Sequence, residues 1–87
     1  MQYILSKQYP ILPKFTMSYD TICELLFRAT SQNLKISIQL EAVDRDGYYQ
    51  PDIMGYIYAW DNLGIYINQE KVHFDEIRHV EFITGGA

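Results

Sequence analysis

The residues able to support nucleophilic chemistry are few in this chain. Cys23 is its single cysteine, and nucleophilic use of that thiol would need a histidine base and an electropositive environment. Cys23 instead continues the apolar side of a predicted helix together with Tyr19 and Phe27, so we interpret it as a buried core thiol. Because one cysteine cannot form an internal disulfide, a cytoplasmic location is expected.

Metal-binding chemistry is also weakly represented. His73 and His79 flank Asp75 and Glu76, but the spacing of the two histidines matches no standard ligand motif, and both fall at polar phases of predicted strands, so we expect both on the surface. The run 44–47 begins like a calcium loop, yet no glutamate stands at the twelfth position, and we interpret the run as a hairpin turn. Phosphate loops and nucleophile elbows are absent. We predict a non-enzymatic protein without metal or cofactor.

Aromatic side chains offer the most evident binding chemistry, at 15% of residues with eight tyrosines. Alternation along the run 53–60 places Tyr56, Tyr58 and Trp60 on one face of a predicted strand, and Tyr66 of the next strand is expected beside them. Tyrosine and tryptophan are enriched in binding hot spots. The row therefore predicts a partner-binding or self-association surface.

Two alternatives for this aromatic row stay open. The helix, or an N-terminal arm with Ile11, Leu12 and Phe15, would cover the row if the small core needs that burial. An exposed row would instead bind a partner, and acidic residues near it would steer a basic protein toward it. These acidic residues are Asp61, Glu70, Asp75 and Glu76. Direct nucleic-acid binding is disfavoured because the net charge is −4 and the basic residues are scattered.

The length of 87 residues allows one domain with one core. Pro10 and Pro13 predict a non-helical arm over residues 1–17. Ser18 is a suitable N-cap, and apolar residues recur at helical spacing over residues 19–30, with Asn33 able to end that helix. No stretch has the length and apolarity of a membrane span.

After the helix, hydrophobic alternation predicts five short antiparallel strands. They cover residues 34–42, 53–60, 65–68, 72–74 and 78–83, with one helical turn at 75–77. We therefore expect an α+β, mainly β fold, with an N-terminal arm over 1–17 and a single domain over 18–87. In that domain one helix packs against a small five-stranded antiparallel barrel of the Sm-like or SH3-like kind.

Several short runs in the second half of the chain share their spacing with a known family. They are Leu34-Lys35-Ile36-Ser37-Ile38, the acidic turn ending in Gly47, Gly55-Tyr56-Ile57, Ile65-Tyr66-Ile67 and Phe74-Asp75-Glu76-Ile77-Arg78-His79-Val80. On these glycine and apolar positions, residues 34–82 resemble the YolD-like family of small bacterial and phage proteins. The arginine-glycine-methionine-methionine-lysine-tryptophan stretch often seen near that family's N-terminus is absent, and residues 9–15 stand in its region.

The resemblance implies an Sm-like barrel and an accessory role beside an error-prone Y-family DNA polymerase in the DNA-damage response. It transfers no catalytic residue to this chain. The leading hypothesis is an interaction module that docks on such a polymerase through the aromatic row. The alternative is a phage or mobile-element inhibitor of the anti-CRISPR type, in which a small acidic domain blocks the nucleic-acid groove of a nuclease.

Overall fold

The computed structural model describes residues 11–83. The first ten residues of the predicted arm lie outside this range. The described part contains one α-helix, six strands and one short 3-10 helix. In chain order these are α1 (Tyr19–Gln32), β1 (Ile36–Leu40), β2 (Ile53–Gly55), β3 (Ile57–Trp60), β4 (Gly64–Ile67), β5 (Glu70–His73), the 3-10 helix (Phe74–Glu76) and β6 (Ile77–Phe82).

Helix α1 begins and ends where the capping residues predict. The Ser18 hydroxyl accepts a hydrogen bond from the Thr21 N–H at 3.1 Å, which satisfies one donor of the first turn. Asn33 has a left-handed φ of 54°, and its N–H donates back to carbonyls of the last turn, as in helices closed by a residue of this type. The predicted helix is confirmed, and it continues two residues beyond the predicted end at Thr30.

The α+β, mainly β class is confirmed, but the five-stranded barrel is wrong. The described strands form two three-stranded antiparallel sheets, β2–β1–β6 and β3–β4–β5, and neither sheet closes into a barrel. The cause lies in the run 53–60, which is two strands rather than one. At Gly55 φ is 157° and Tyr56 belongs to neither strand, so the chain leaves the first sheet there and enters the second.

The side chain of Asn68, which directly follows β4, stabilises this break between β2 and β3. Asn68 Nδ2 donates to the Met54 carbonyl at 2.6 Å. A Cβ at Gly55 would lie 2.5 Å from Asn68 Oδ1, so any other residue would displace the Asn68 amide and would also be strained at this φ. The predicted strand thus becomes a corner between two sheets.

The apolar core lies between α1 and the inner faces of the two sheets. Its buried members are Ile22, Leu26, Ala29, Ile36, Ile38, Ile57, Ile65, Ile67, Val72, Ile77 and Val80. The helix contributes one stripe and the strands contribute alternate positions, as amphipathic elements do when they share one core.

Residues 12–17 of the arm cross the outer face of the first sheet. Gln39, whose neighbours in β1 face the core, is only 1% exposed because this segment covers it. The Lys14 N–H donates to Gln39 Oε1 at 2.7 Å, and Gln39 Nε2 donates to the Leu12 carbonyl at 3.0 Å. Farther along, the Met17 N–H donates to the Arg78 carbonyl at 3.0 Å. The arm is therefore fixed to the sheet by polar contacts.

The expectation that both histidines are surface residues is wrong for His79. That side chain is 3% exposed, whereas His73 is exposed. The arm covers His79: its Nδ1 lies 2.9 Å from the Phe15 carbonyl, and the Phe15 ring packs edge-on at 4.6 Å. Its Nε2 lies 2.9 Å from a Glu81 carboxylate oxygen. His79 can be buried on this face of β6 because the arm supplies a hydrogen-bonding partner for its imidazole.

Candidate functional site: a tyrosine face and a helix groove

Strand β3 lies at the edge of the second sheet and carries two of the four predicted aromatic site residues, and a third, Tyr56, directly precedes the strand. Tyr56, Tyr58 and Trp60 are 50, 62 and 63% exposed. The described part of the arm lies on the first sheet instead, so residues 11–17 do not cover this strand. When several large apolar side chains are exposed next to one another, they usually mark an interaction surface, because such patches are rare on monomeric proteins.

A β-bulge in β3 divides the predicted row into two surfaces. The register pairs Ile57 with Ile67, then shifts, so that Ala59 pairs with Tyr66 and Trp60 with Ile65. A bulge of this kind places two residues opposite one and reverses the alternation beyond it. Trp60 therefore shares the side of Ile65, which is buried.

The tyrosines remain together on the outer side of the second sheet. The rings of Tyr58 and Tyr66 have centroids 6.2 Å apart, and Tyr56 shares the outward phase with Tyr58 because Ile57 between them is buried. We call Tyr56, Tyr58 and Tyr66 the tyrosine face. The structure thus brings together three of the four predicted aromatic residues and separates the fourth.

Trp60 lines a groove between α1 and the second sheet, with a volume of about 330 Å³. We call this the helix groove. Its walls include Cys23, Leu26, Phe27, Thr30, Trp60 and Phe74. Phe27 and Trp60 are 74 and 63% exposed, so two aromatic rings stand at its mouth. The lining is predominantly apolar, which is typical of binding pockets.

The groove corrects the sequence interpretation of one side of α1. Cys23 is half-buried and lines the groove, rather than lying in the core. Tyr19 and Phe27, predicted to widen the buried stripe, are 57 and 74% exposed. The sheet buries only the stripe through Ile22 and Leu26, and the next positions around the helix face the groove or water.

Asp61, one of the predicted steering acids, is occupied by local contacts. Its Oδ1 accepts hydrogen bonds from the Leu63 and Gly64 N–H groups at 2.9 and 3.1 Å. Its Oδ2 lies 2.6 Å from Lys71 Nζ, which also sits 5.2 Å from the centre of the Tyr66 ring. The hydrogen bond from Lys71, and then those from the turn, lower the pKa of Asp61 to about 2. Asp61 therefore holds a turn together.

The other three predicted acids differ in how they are held. Glu76 accepts a hydrogen bond from the His73 N–H at 2.9 Å, which caps the 3-10 helix. Glu70 and Asp75 are exposed and form no ion pair with another residue of the described range. Of the four predicted acids, Glu70 and Asp75 are therefore the two that residues 11–83 leave without an ion pair or a capping role.

Sequence reasoning missed Phe27 as a site residue, as well as the buried polar set beneath the arm. Phe27 was assigned to the core because it follows Cys23 by one helical turn, and only tertiary packing shows that no strand reaches it. The signal for the buried polar set was present: an arm with two prolines precedes a strand whose polar phase carries Ser37 and Gln39.

Within residues 11–83, no three His, Cys, Asp or Glu side chains are grouped so that they would hold a metal ion. The helix in that range is too short and too polar to cross a bilayer. Comparison with protein-family models, with curated proteins and with solved structures found no match to this chain.

Proposed function

We propose that this chain is a non-enzymatic protein-interaction module that binds its partner through the aromatic residues of β3 and β4. The observation that carries the proposal is the exposure of Tyr58 and Trp60 on the edge strand β3 and of Tyr56 directly before it, each of which is at least half exposed. Aromatic residues dominate binding hot spots because they bury a large area with few rotatable bonds.

The edge position of β3 supports the same proposal. Among residues 11–83, β4 is the strand that pairs with β3, so within that range the other edge of β3 offers backbone groups to an incoming strand. A second copy of this chain would use that edge as readily as another protein. Self-association is therefore a measurable alternative use of the surface.

The partner we propose is a Y-family DNA polymerase, on the strength of the resemblance of residues 34–82 to the YolD-like family. The charge of the chain agrees with a partner that presents a basic surface, since the net charge is −4 and Glu70 and Asp75 are exposed without ion pairs inside the described range. Such a role would place the chain in the cytoplasm.

Titration of a purified bacterial Y-family polymerase against the immobilised chain tests the proposal. We expect the double variant Tyr56→Ala/Tyr58→Ala to weaken binding by about tenfold or more, as for loss of hot-spot residues. Tyr48→Ala is the matched control, because Tyr48 is 49% exposed but lies in the 44–49 turn. Absence of binding by the wild-type chain would remove the polymerase as partner.

Light scattering of the same proteins tests self-association. If the wild-type chain is a dimer and the double tyrosine variant is a folded monomer, the tyrosine face joins two copies. Equal polymerase binding by the wild type and the double variant would show that the tyrosine face is not the binding surface.

A further inference from the structure

We propose that the helix groove binds a basic amphipathic helix of a partner protein, with apolar side chains inside the groove and lysine or arginine side chains at its acidic rim. The inference rests on the proposed function and names the chemistry of the partner segment that would bind around Trp60. It draws on the shape, the hydrogen-bonding capacity and the charge of the groove.

The size of the groove suits side chains rather than a backbone. A volume of about 330 Å³ is at the small end of ligand pockets and accommodates a few large apolar side chains. On a helix, residues at i and i+4 lie on one face about 6 Å apart, so two of them would enter together. Phe27 and Trp60, both mostly exposed, would close on either side of them.

The groove offers few hydrogen-bond donors to an incoming backbone. Its two hydroxyl groups donate within α1: Thr30 Oγ1 donates to the Leu26 carbonyl at 2.8 Å, and Ser31 Oγ donates to the Arg28 carbonyl at 3.3 Å. The Trp60 indole N–H is the remaining strong donor of the lining. An extended peptide would therefore lose hydrogen bonds with water that the groove does not replace. A helix satisfies its own backbone groups, so it is the better occupant.

Acidic side chains lie at the end of the groove where α1 begins. Phe74, which lines the groove, packs edge-on against Tyr19 with centroids 6.2 Å apart. The pKa of Tyr19 is raised, first by a hydrogen bond with Cys23 and further by the charges of Asp20 and Asp75. Asp20 precedes the groove residue Cys23 by three positions on α1, and Asp75 directly follows the groove residue Phe74, so both carboxylates lie toward this end of the groove.

Within the described range, Arg28 of α1 and Lys71 of β5 are each paired with another carboxylate. Arg28 pairs with Glu24 at 3.6 Å, and Lys71 pairs with Asp61 at 2.6 Å. Asp20 and Asp75 have no ion pair with any other residue in the range 11–83. A helix that carries lysine or arginine beside its apolar face complements them, whereas a second copy of this acidic chain would bring carboxylates against carboxylates.

Trp60 makes the test direct, because it is the only tryptophan in the chain and it lines the groove. The probe is a synthetic tryptophan-free Leu/Lys amphipathic peptide, about 18 residues long so that it forms a helix, compared with a Leu/Glu peptide of the same apolar pattern. We expect the Leu/Lys peptide to shift the Trp60 emission to the blue in a saturable way, and the Leu/Glu peptide to give no shift. Equal binding of both peptides, or of neither, would overturn the proposal.

Two sets of variants assign the binding to the groove. Phe27→Ala should weaken peptide binding by about tenfold, whereas Leu12→Ala, equally 74% exposed but on the arm, should leave it unchanged. Asp20→Asn and Asp75→Asn should each weaken it by about two- to threefold, and Asp46→Asn, which removes an exposed charge from the 44–47 turn, should not. Equal effects of the test and control variants would contradict the assignment.

Other occupants of the groove give distinct outcomes. A wild-type dimer that Phe27→Ala dissociates would identify a second copy of the chain as the occupant. Tighter peptide binding by Ile4→Ser/Leu5→Ser would identify the chain's own N-terminal residues. Either result overturns the proposal. The two proposals can fail separately. If the wild-type chain does not bind the polymerase but the Leu/Lys peptide still binds to Tyr56→Ala/Tyr58→Ala, the polymerase proposal is wrong and the proposal for the helix groove stands.

Discussion

The outer faces of the two sheets differ in which side chains are exposed, and the difference is the opposite of what hydropathy alone would predict. On the first sheet the outer face carries Ser37, Gln39 and His79, and these polar residues are 6, 1 and 3% exposed. On the second sheet it carries Tyr56 and Tyr58, which are 50 and 62% exposed. The polar face is covered and the aromatic face is open. The arm lies on the first sheet because the polar side chains of that face can form hydrogen bonds with an extended segment.

The arm matches the first sheet through its backbone rather than through its apolar side chains. Gln39 uses both halves of its amide on the backbone of residues 12–14, and Arg78 Nε donates to the Lys14 carbonyl at 2.6 Å. Leu12 and Phe15 remain 74 and 70% exposed. The tyrosine face offers no comparable set of amide and imidazole groups, so the same segment gains little by lying on it.

On the covered face, the largest effect is expected from Gln39→Ala. The change leaves the Lys14 N–H and the Leu12 carbonyl without their partner under the covered face, and each unsatisfied group costs about 1–3 kcal/mol. We expect the free energy of unfolding to fall by about 2–4 kcal/mol in urea titration. Gln50→Ala, at an exposed glutamine, is the control, and an equal effect of both variants would show that the arm contributes little.

A smaller loss is expected from Asp52→Ala, which removes the acceptor shared by arm and sheet. Asp52 Oδ2 accepts from Lys14 Nζ at 2.5 Å and from the Ser37 hydroxyl at 2.7 Å, and its side chain is 11% exposed. We expect a loss of about 1–3 kcal/mol and faster tryptic cleavage after Lys14, because the arm opens more often. With Asp46→Ala as control, an unchanged cleavage rate would mean that this ion pair does not fasten the arm.

The sequence predicted the elements whose cause is local. Helix α1 follows from Ser18, Asn33 and apolar spacing, and β1 follows from faultless alternation, because caps and periodicity act within a few residues. The break at Gly55 was not predictable in the same way. It depends on Asn68, thirteen residues later, whose side chain occupies the space beside the glycine. One broken strand is enough to turn an expected barrel into two sheets.

The candidate site was predicted in its residue types but not in its geometry. Tyr56, Tyr58 and Trp60 are exposed as an open row requires, yet the bulge after Ile57 moves Trp60 to the opposite side. A bulge has no dependable sequence signature, and one added residue reverses every later position of a strand. Phe27 joined Trp60 only through packing between α1 and β3, which periodicity does not specify.

Neighbouring residues of β3 sharpen the contrast between open and covered faces. Tyr58→Ala should lower the free energy of unfolding by at most about 1 kcal/mol, since Tyr58 is 62% exposed and its ring pairs with that of Tyr66. Ile57→Ala, at a position 9% exposed, should cost about 2–5 kcal/mol because it leaves a cavity in the core. Similar losses for the two variants, measured by urea titration, would mean that Tyr58 is covered in solution.

The smallest effect concerns Asp61, which supports the open face at its edge. Its pKa is about 2 in the folded chain against an ordinary 3.8, so its contribution is fully present above about pH 4 and is lost as the pH falls toward 2. Asp61→Asn keeps an oxygen for the Leu63 and Gly64 N–H groups but removes the ion pair with Lys71. We therefore expect the stability difference between wild type and Asp61→Asn to close between about pH 4 and pH 2.

Urea midpoints across that pH range measure the difference, and Lys71→Met provides the matched test. If the ion pair lowers the pKa of Asp61, the stability difference between wild type and Lys71→Met should close over the same pH window. At neutral pH, Asp61→Asn/Lys71→Met should lose little more stability than either single variant. Equal stability of wild type and Asp61→Asn at neutral pH would attribute the role of Asp61 to its turn hydrogen bonds, which asparagine keeps. The open face would then depend on the 61–64 turn and not on the charge pair beside Tyr66.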